Sequence, residues 1–231
     1  MKDIDKQTLD FSTMLASAVH DMKNSLGLLV NHLEDVIEHF DGSDKEDIKL
    51  LSQLQYEAKR VNNNLLQILS LYRLENSLYA LNIAYNPVND LLDDVYIQNK
   101  TLFDYKGISL ERDDCSDLCW FFDNDLVCGV VNSILNNTFR YTLDKVFISA
   151  CEKDGYLSIC VDDNGEGYPD YMLEESSIDK TEISFKTGST GLGIYFSEMV
   201  AKVHKNKARQ GFISITNGGR YGGGRFCINL P

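Results

Sequence analysis

Val161-Asp162-Asp163-Asn164-Gly165-Glu166-Gly167 is the stretch of sequence that decides the fold. It closes an apolar run over 156–161, which predicts a strand that ends on acidic residues. Gly165 and Gly167 let the backbone approach a bound group closely, because glycine has no Cβ. The competing interpretation is an ordinary Asp-Gly turn after a strand, so the neighbouring segments have to decide between the two.

The segments on either side predict a sheet with helices packed against it. Short strand patterns alternate with helical ones from Asn86-Pro87 onward. This alternation is typical of an α/β sandwich, here with a largely antiparallel sheet. We expect strands over 147–151, 156–161, 211–216 and 225–230, and helices over 125–142 and 191–204.

Two glycine-rich segments occur in this half of the chain. Residues 217–224 are predicted to form a hairpin turn; a phosphate loop is the alternative, but strand patterns flank the segment and no helix follows. Gly188-Ser189-Thr190-Gly191-Leu192-Gly193 instead precedes an apolar helix. Free N–H groups at such a helix start form a cradle for phosphate. Residues 168–187 precede this cradle, and taken alone they have the pattern of a plain surface loop.

The first 80 residues follow a helical pattern. Apolar residues recur at alternating spacings of three and four in two stripes, separated by the turn residues Asp41-Gly42-Ser43-Asp44. Leu66, Leu69 and Leu74 widen the apolar surface beyond one seam, so we predict a helical hairpin that pairs with a second copy into a dimeric four-helix bundle. The stripes are Leu15, Val19, Met22, Leu26, Leu29, Leu33, Val36 and Phe40, and Leu51, Leu54, Ala58, Val61, Leu65, Ile68 and Tyr72.

Composition excludes several classes of protein. Residues 1–80 carry 8 basic and 13 acidic side chains and the remainder 14 and 22, which gives net charges of −5 and −8 and a total of −13. We therefore expect no basic face and no binding to nucleic acid, which depends on neutralising phosphates. The absence of a long apolar stretch or a secretion signal favours a cytoplasmic protein with no membrane span. The six cysteines form no CxxC pair, and we expect them to be free thiols.

His20 is the candidate nucleophile. It follows Val19 of the first stripe and therefore points away from the seam, with Asp21 next to it and Asn24 one helical turn on. A neutral imidazole is a competent nucleophile near pH 7. A nearby carboxylate stabilises the positive charge that develops on attack. An exposed helical histidine without a role is the competing interpretation.

The stretch His20-Asp21-Met22-Lys23-Asn24-Ser25-Leu26 resembles the phosphoacceptor box of the sensor histidine kinases. The resemblance implies that His20 accepts a phosphoryl group, with Asp21 and Asn24 at the positions of the family's acidic and Thr or Asn residues. Ser25 stands where many members have a proline, which implies a straighter helix here.

Residues 132–142 resemble the Asn-containing helix of the same family's ATP-binding domain. By this register Asn137 is the Mg²⁺ ligand, since an amide oxygen is a hard donor. Arg140 and Tyr141 would lie beside the nucleotide, where the arginine neutralises phosphate charge. Ser133 departs from the family's usual earlier asparagine. The competing interpretation is a polar surface helix.

The Val161–Gly167 stretch and the later glycines resemble the remaining nucleotide boxes of that domain. Asp163 would bind the adenine amino group, with Gly165 and Gly167 beside the base. The phosphate cradle would comprise Thr190, Gly191, Leu192 and Gly193. The spacing of residues 168–187, which contain Phe185, resembles the family's ATP lid. Residues 222–231 resemble the closing strand of the domain, so we expect no fused receiver domain, and we assign His204 no catalytic role.

The resemblance implies an α+β protein with two domains. Residues 1–80 would form the dimerisation and histidine-phosphotransfer hairpin, and residues 81–231 the catalytic ATP-binding domain. With ATP and Mg²⁺, the protein would phosphorylate His20 and pass the group to an aspartate in the receiver domain of a response regulator. Asn24 would support phosphatase activity, and the protein would be a homodimer. The sequence shows no sensor segment, so either a separate sensor protein delivers the signal or the chain is part of a longer kinase.

Two other functions compete with this one. The first is a non-enzymatic histidine phosphotransfer protein with a degenerate ATPase-like domain, which the intact nucleotide boxes disfavour. The second is an ATPase of the same superfamily such as a serine-kinase anti-sigma factor, which the hairpin bearing His20 disfavours.

Overall fold

A computed structural model describes residues 22, 24–33, 36, 45–173 and 191–231. The chain divides into two compact units, Met1–Leu78 and Tyr79–Pro231. Within the described ranges, no helix combines the length and the apolar character needed to cross a bilayer.

The first unit is helical over nearly all of its described residues. Residues 24–33 are helical, and helix α1 spans Lys45–Glu75. On the surface of α1, Arg60 and Glu57 form an ion pair at 2.6 Å, one turn apart. The residues that would join the two helices lie outside the described ranges, so the hairpin and the four-helix bundle stay predictions.

The second unit alternates strands and helices and has the α+β architecture that the sequence predicts. The predicted helices over 125–142 and 191–204 and the four predicted strands are confirmed to within a few residues. Its helices are α2 (Val88–Tyr105), α3 (Asn124–Tyr141), α4 (Asp170–Leu173) and α5 (Leu192–Val203). Its strands are β1 (Ala84–Pro87), β2 (Ser109–Arg112), β3 (Cys119–Phe122), β4 (Lys145–Lys153), β5 (Tyr156–Asp163), β6 (Lys205–Asn206), β7 (Arg209–Gln210), β8 (Phe212–Asn217) and β9 (Gly224–Leu230).

The central sheet has five strands in the order β2-β4-β5-β9-β8. Strands β2 and β4 pair in parallel and all other neighbours pair antiparallel, so the sheet is mixed. The glycine-rich segment between β8 and β9 is a hairpin turn, in which Asn217 pairs with Gly224. The predicted hairpin turn is thus confirmed. Two further two-stranded sheets pair β1 with β3 and β6 with β7.

Helices α2, α3 and α5 pack against the sheet and against each other. The apolar face of α3, with Val130 and Leu135, is buried together with Leu157 of β5 and Leu230 of β9. Asp123 caps the start of helix α3: its carboxylate accepts a hydrogen bond from the Leu126 N–H at 3.1 Å and so satisfies one of the free donors of the first turn.

Strands β5 and β9 carry polar side chains in matching register on one face. Ser158 donates to Asn229 at 2.6 Å, and Cys160 and Cys227 are joined by a disulfide. The expectation of free thiols is therefore wrong for this pair. The two cysteines are 67 positions apart in sequence, and only the β5–β9 register brings them opposite each other.

His204 ends α5 and has a structural role. Its Nε2 accepts a hydrogen bond from the Asp123 N–H at 3.0 Å, and its Nδ1 lies 2.7 Å from the Val200 carbonyl oxygen. These partners require a neutral ring with the proton on Nδ1. Burial lowers the pKa of His204 below its ordinary value of 6.5, which also favours the neutral ring. The histidine ties the end of α5 to the start of α3.

Candidate functional site

Asp163 lies at the end of β5, between two glycine-containing turns. Its Oδ1 accepts hydrogen bonds from the Gly165 N–H at 2.7 Å and the Gly224 N–H at 3.3 Å, and its carbonyl oxygen accepts one from the Gly223 N–H at 3.1 Å. Within the described part of the chain, no hydrogen bond uses Oδ2 of this half-buried side chain. The backbone therefore fixes one carboxylate oxygen, and the other has no hydrogen-bond partner among the described residues.

The two glycines after Asp163 permit close contacts within the protein. A Cβ at position 165 would overlap the carbonyl oxygen of Tyr141 at the end of α3. Gly167 has a φ of +83°, and a Cβ there would lie 2.6 Å from Asn217 Oδ1. Both positions thus require glycine to bring α3, this turn and the β8–β9 hairpin together. The sequence by itself predicts only a close approach to a ligand at these glycines.

Asn164 fastens the same turn to the loop before β4. Its Oδ1 accepts hydrogen bonds from Thr142 Oγ1 at 2.9 Å and from the Lys145 N–H at 3.0 Å, while its Nδ2 donates to Asp144 at 2.7 Å. The turn that holds Asp163 is therefore fixed on both sides, which keeps the carboxylate in one position.

The start of α5 packs closely against α3. Gly191 precedes the helix in the left-handed region, with a φ of +56°, which glycine adopts without strain. A Cβ on Gly193 would lie 2.5 Å from Ser133 Oγ and 3.7 Å from Asn137 Nδ2. The first turn of a helix presents N–H groups without intrahelical partners, so this junction combines such donors with the Asn137 amide.

The close packing at this junction explains why a small residue, Ser133, stands where the family pattern has asparagine. It is buried and touches the helix start where a Cβ on Gly193 would collide with it. A larger asparagine side chain at 133 would need the start of α5 to shift. The departure from the family pattern therefore accompanies a close α3–α5 contact.

Arg140, the cation that the sequence predicts beside a nucleotide, lies on helix α3. Arg140 and Tyr141 are both exposed near the end of α3, and the Arg140 guanidinium lies 5.5 Å from the centre of the Tyr141 ring. Asn137 is exposed one turn earlier. The structure thus places Asn137, Gly193 and Ser133 together at the helix junction, and Tyr141, Gly165 and Asp163 together at the turn.

Several predicted site residues cannot be placed. His20, Asp21 and Thr190 lie outside the described residues, as does most of the 168–187 segment. Asn24 is helical and exposed, and Leu192 is the first residue of α5. Within the described ranges, no cluster of three His, Cys, Asp or Glu side chains is arranged to hold a metal ion.

No family model matches the chain. Sensor protein SrrB of Staphylococcus aureus (strain N315) is 23% identical over 209 residues, which cover 87% of this chain and 35% of that protein. The chain thus spans about a third of the length of the curated relatives that it matches.

Solved structures of histidine kinases have the same fold. Full-length ShkA in complex with AMPPNP aligns with a TM-score of 0.61 at 20% identity, over 95% of this chain and 45% of that chain. Histidine kinase AdeS of Acinetobacter baumannii aligns with a TM-score of 0.56 at 17% identity, over 90% of this chain and 95% of that one. The catalytic domain of histidine kinase ThkA aligns with a TM-score of 0.53 at 20% identity, over 65% and 96%.

The chain resembles a sensor histidine kinase core with its ATPase domain. In this kinase-like core, the sequence analysis missed the residues that hold the turn after Asp163 from the far side. Asn217 accepts a hydrogen bond from the Tyr168 N–H at 2.7 Å and donates to the Tyr168 carbonyl at 2.8 Å. Gly223 and Gly224 bind Asp163 itself. These residues are about 50 positions from the motif that they support, and only the strand order reveals the contact.

Tyr168 is a further residue of the kinase-like core that sequence reasoning missed. A Cβ on Gly224 would lie 2.8 Å from its ring, so the ring packs at the β8–β9 hairpin beside Asp163. Burial, together with the Asp163 carboxylate, raises the pKa of Tyr168. The phenol therefore stays neutral at physiological pH.

Proposed function

We propose that the protein is an ATP-dependent protein-histidine kinase of a two-component pathway. It phosphorylates His20 and transfers the group to an aspartate in the receiver domain of a response regulator. The observation that carries this proposal is the fixed Asp163 carboxylate, held by the N–H groups of Gly165 and Gly224 with its second oxygen without a hydrogen bond among the described residues. The AMPPNP bound to ShkA supports nucleotide as the ligand.

Each half of the nucleotide would meet a different part of the second unit. The adenine amino group would donate to Asp163. The phosphates would meet the glycine N–H groups at the start of α5, with Arg140 to balance their charge. Mg²⁺, shared with the phosphates, would take the Asn137 amide oxygen as a ligand. One exposed amide suits this ion, which keeps several waters and is usually bound through few protein groups.

The phosphoryl transfer itself needs little from the protein beyond position and charge. The neutral His20 imidazole attacks the γ-phosphorus as ADP leaves, and Asp21 stabilises the positive charge that develops on the ring. The same imidazole then releases the phosphoryl group to the partner's aspartate. Because this reaction consumes ATP, we place the protein in the cytoplasm.

The exposed parts of the apolar stripes support a homodimer. Among the stripe residues that the structure describes, every second one is 44–50% exposed in the single chain, and the intervening ones are half-buried or buried. The exposed positions recur every seven residues in both helices, which is the spacing of one heptad position. A second copy would cover this seam. The exposed residues are Met22, Leu29, Val36, Leu54, Val61 and Ile68.

Phosphatase activity toward the partner is assigned to Asn24. It lies one turn after His20 on the same side of the helix, so a receiver that docks against His20 also meets Asn24. An amide both donates and accepts hydrogen bonds and can orient a water for attack on an acyl phosphate. Decay of a phosphorylated receiver, freed of ATP, would be compared for wild type and Asn24→Ala; equal acceleration by both would exclude this role.

The deciding experiment is incubation of the protein with γ-labelled ATP and Mg²⁺. We expect acid-labile, base-stable label that is lost in His20→Gln. It should be retained in His32→Gln, which changes an exposed histidine of the helical 24–33 segment. Label that persists in His20→Gln would refute the assignment of the nucleophile. An unlabelled wild-type protein that accepts phosphate from a phosphorylated receiver would favour the non-enzymatic phosphotransfer protein.

Nucleotide binding is tested separately by calorimetry. Asp163→Asn replaces a pure acceptor by a group that is half donor and should weaken ATP binding by about 1–3 kcal/mol. Asp170→Asn, an exposed acidic residue of α4, is the matched control and should bind ATP as wild type does. Equal affinity of all three proteins would place the base elsewhere.

A further inference from the structure

A groove lies in the second unit beside the two-stranded β1–β3 sheet, and it contains none of the nucleotide-site residues. Its volume is about 580 Å³, and the residues that line it include Ile83, Tyr85, Phe121, Lys205 and Asn206. Tyr85 and Phe121 face each other across the strands, with ring centres 5.0 Å apart. They are 63% and 59% exposed. Paired exposed aromatic rings of this kind mark interaction surfaces.

Trp120 lines the same groove and has an unsatisfied donor. Its indole Nε1 is buried and has no hydrogen-bond partner within the described part of the chain. A buried donor without an acceptor destabilises a protein, and an incoming carbonyl or carboxylate oxygen would supply the acceptor. The groove therefore combines an apolar wall with a polar group that lacks a partner.

Lys205 lines the groove and belongs to a basic stretch of an otherwise acidic sequence. Residues 199–231 contain six basic and no acidic side chains, whereas the whole chain has a net charge of −13. The net charge of residues 81–231 conceals this basic stretch. Lys202 pairs with Glu198 at 2.8 Å, but the exposed Lys205 and Lys207 have no ion pair among the described residues.

The nearby side chains of His204 and Asp123 add no charge that competes with that of Lys205. His204 lines the groove but is held neutral by its two hydrogen bonds. Asp123 is buried, and its carboxylate already accepts hydrogen bonds from the Asn82 and Leu126 N–H groups. Among the residues that line the groove, Lys205 is the one whose side chain carries a charge, and Pro231 lines the groove as well.

From this combination we propose that the groove binds an acidic, aromatic-containing segment of a partner protein. The partner's apolar side chain packs on Tyr85 and Phe121, and its carboxylates face Lys205 and Lys207. An oxygen of the same segment accepts the Trp120 indole N–H. Apolar contact supplies the burial, and the charges select acidic sequences over basic ones. The groove contains none of the residues proposed for the kinase reaction, so this proposal and the proposed function are tested independently.

Trp120 makes the test direct, because it is the only tryptophan in the chain. The full-length protein is titrated with a short tryptophan-free peptide in which one phenylalanine is flanked by glutamates. We expect saturable changes in Trp120 fluorescence and in its indole N–H resonance, weakened by salt, which screens charge pairs. A peptide with lysines in place of the glutamates should bind at least about tenfold more weakly.

Matched variants separate binding from folding. Lys205→Glu and Phe121→Ser should each weaken binding of the acidic peptide by about tenfold or more. Lys153→Glu and Phe212→Ser change other exposed residues of the same types elsewhere on the unit and should leave binding unchanged, with thermal unfolding recorded for all four. An unresponsive Trp120, or equal binding of acidic and basic peptides, would overturn the proposal. So would a response to anionic lipid vesicles alone, which would assign the surface to a membrane.

Discussion

The two units of this protein differ in how far one chain buries its own apolar surface. In the second unit, Val130, Leu157 and Leu230 are inaccessible to solvent. In the first unit, Leu29 and Val61 remain 48% and 44% exposed although they belong to regular apolar stripes. Since hydrophobic burial is the main force that favours folding, the second unit is expected to be stable as a monomer. The first is expected to depend on a second copy.

The largest effect is expected where a charge enters the open seam of the first unit. Leu29→Asp would bury an unpaired carboxylate in the dimer, at a cost of about 3–5 kcal/mol, as for other uncompensated buried charges. We expect light scattering to give the monomer mass of 26.2 kDa at concentrations where wild type is a dimer. Leu28→Asp changes a residue that is 60% exposed and lies outside the stripe, and it should leave the dimer intact.

Two outcomes would contradict the view that the first unit depends on a second copy. If wild type is already a monomer at micromolar concentration, the open seam serves another purpose. If both aspartate variants dissociate the dimer equally, the interface is not the heptad stripe but a broader face that includes Leu28.

The next effect is expected at the closely packed turn of the second unit. The added methyl of Gly165→Ala would overlap the Tyr141 carbonyl oxygen, and relief of such overpacking costs about 1–3 kcal/mol. The shift also moves Asp163, whose Oδ1 binds the Gly165 N–H. We expect lower thermal stability of the second unit together with weaker ATP binding, measured by calorimetry. An unchanged ATP affinity in a destabilised protein would mean that the turn does not position the base.

A smaller effect is expected from pH, and only in the second unit. The pKa of His204 is lowered in the folded protein, so the unfolded chain binds more protons as pH falls below about 6.5. The stability that the neutral ring contributes is therefore complete above that pH and decreases as the solution becomes more acidic. Asn at 204 cannot take up a proton, so His204→Asn should flatten this part of the profile of melting temperature against pH. A profile of unchanged steepness would assign the acid sensitivity to other groups.

The same contrast explains what could be predicted from sequence. Periodicity predicts the strands and helices of the second unit, because local alternation reflects which side of each element is buried. It also predicts that the glycines after Asp163 permit a close approach. It does not reveal that the Gly165 contact is Tyr141, or that Asn217 and Gly224 hold the turn from the other side, because those contacts depend on strand order.

Averages over long segments hid two other features. Net charge summed over residues 81–231 concealed the basic cluster around Lys205, and cysteine spacing gave no indication of the Cys160–Cys227 disulfide. Such disulfides rarely persist in reducing compartments. Alkylation of the protein quenched inside cells therefore tests both the pairing and the proposed cytoplasmic location.

The smallest effect should have the opposite sign to that of Gly165→Ala. Gly27 lies within the helical 24–33 segment, and a Cβ there would meet no atom within 4 Å. Glycine inside a helix is less favourable than alanine by about 0.5–1 kcal/mol, because it loses more backbone freedom on folding. Gly27→Ala should therefore raise the melting temperature of the first unit slightly, while Gly165→Ala lowers that of the second. Position 27 follows the stripe residue Leu26 and faces away from the seam, so dimer formation should not reverse the gain. A loss of stability would instead place an atom of the second copy against position 27 and move the dimer interface to that side of the helix.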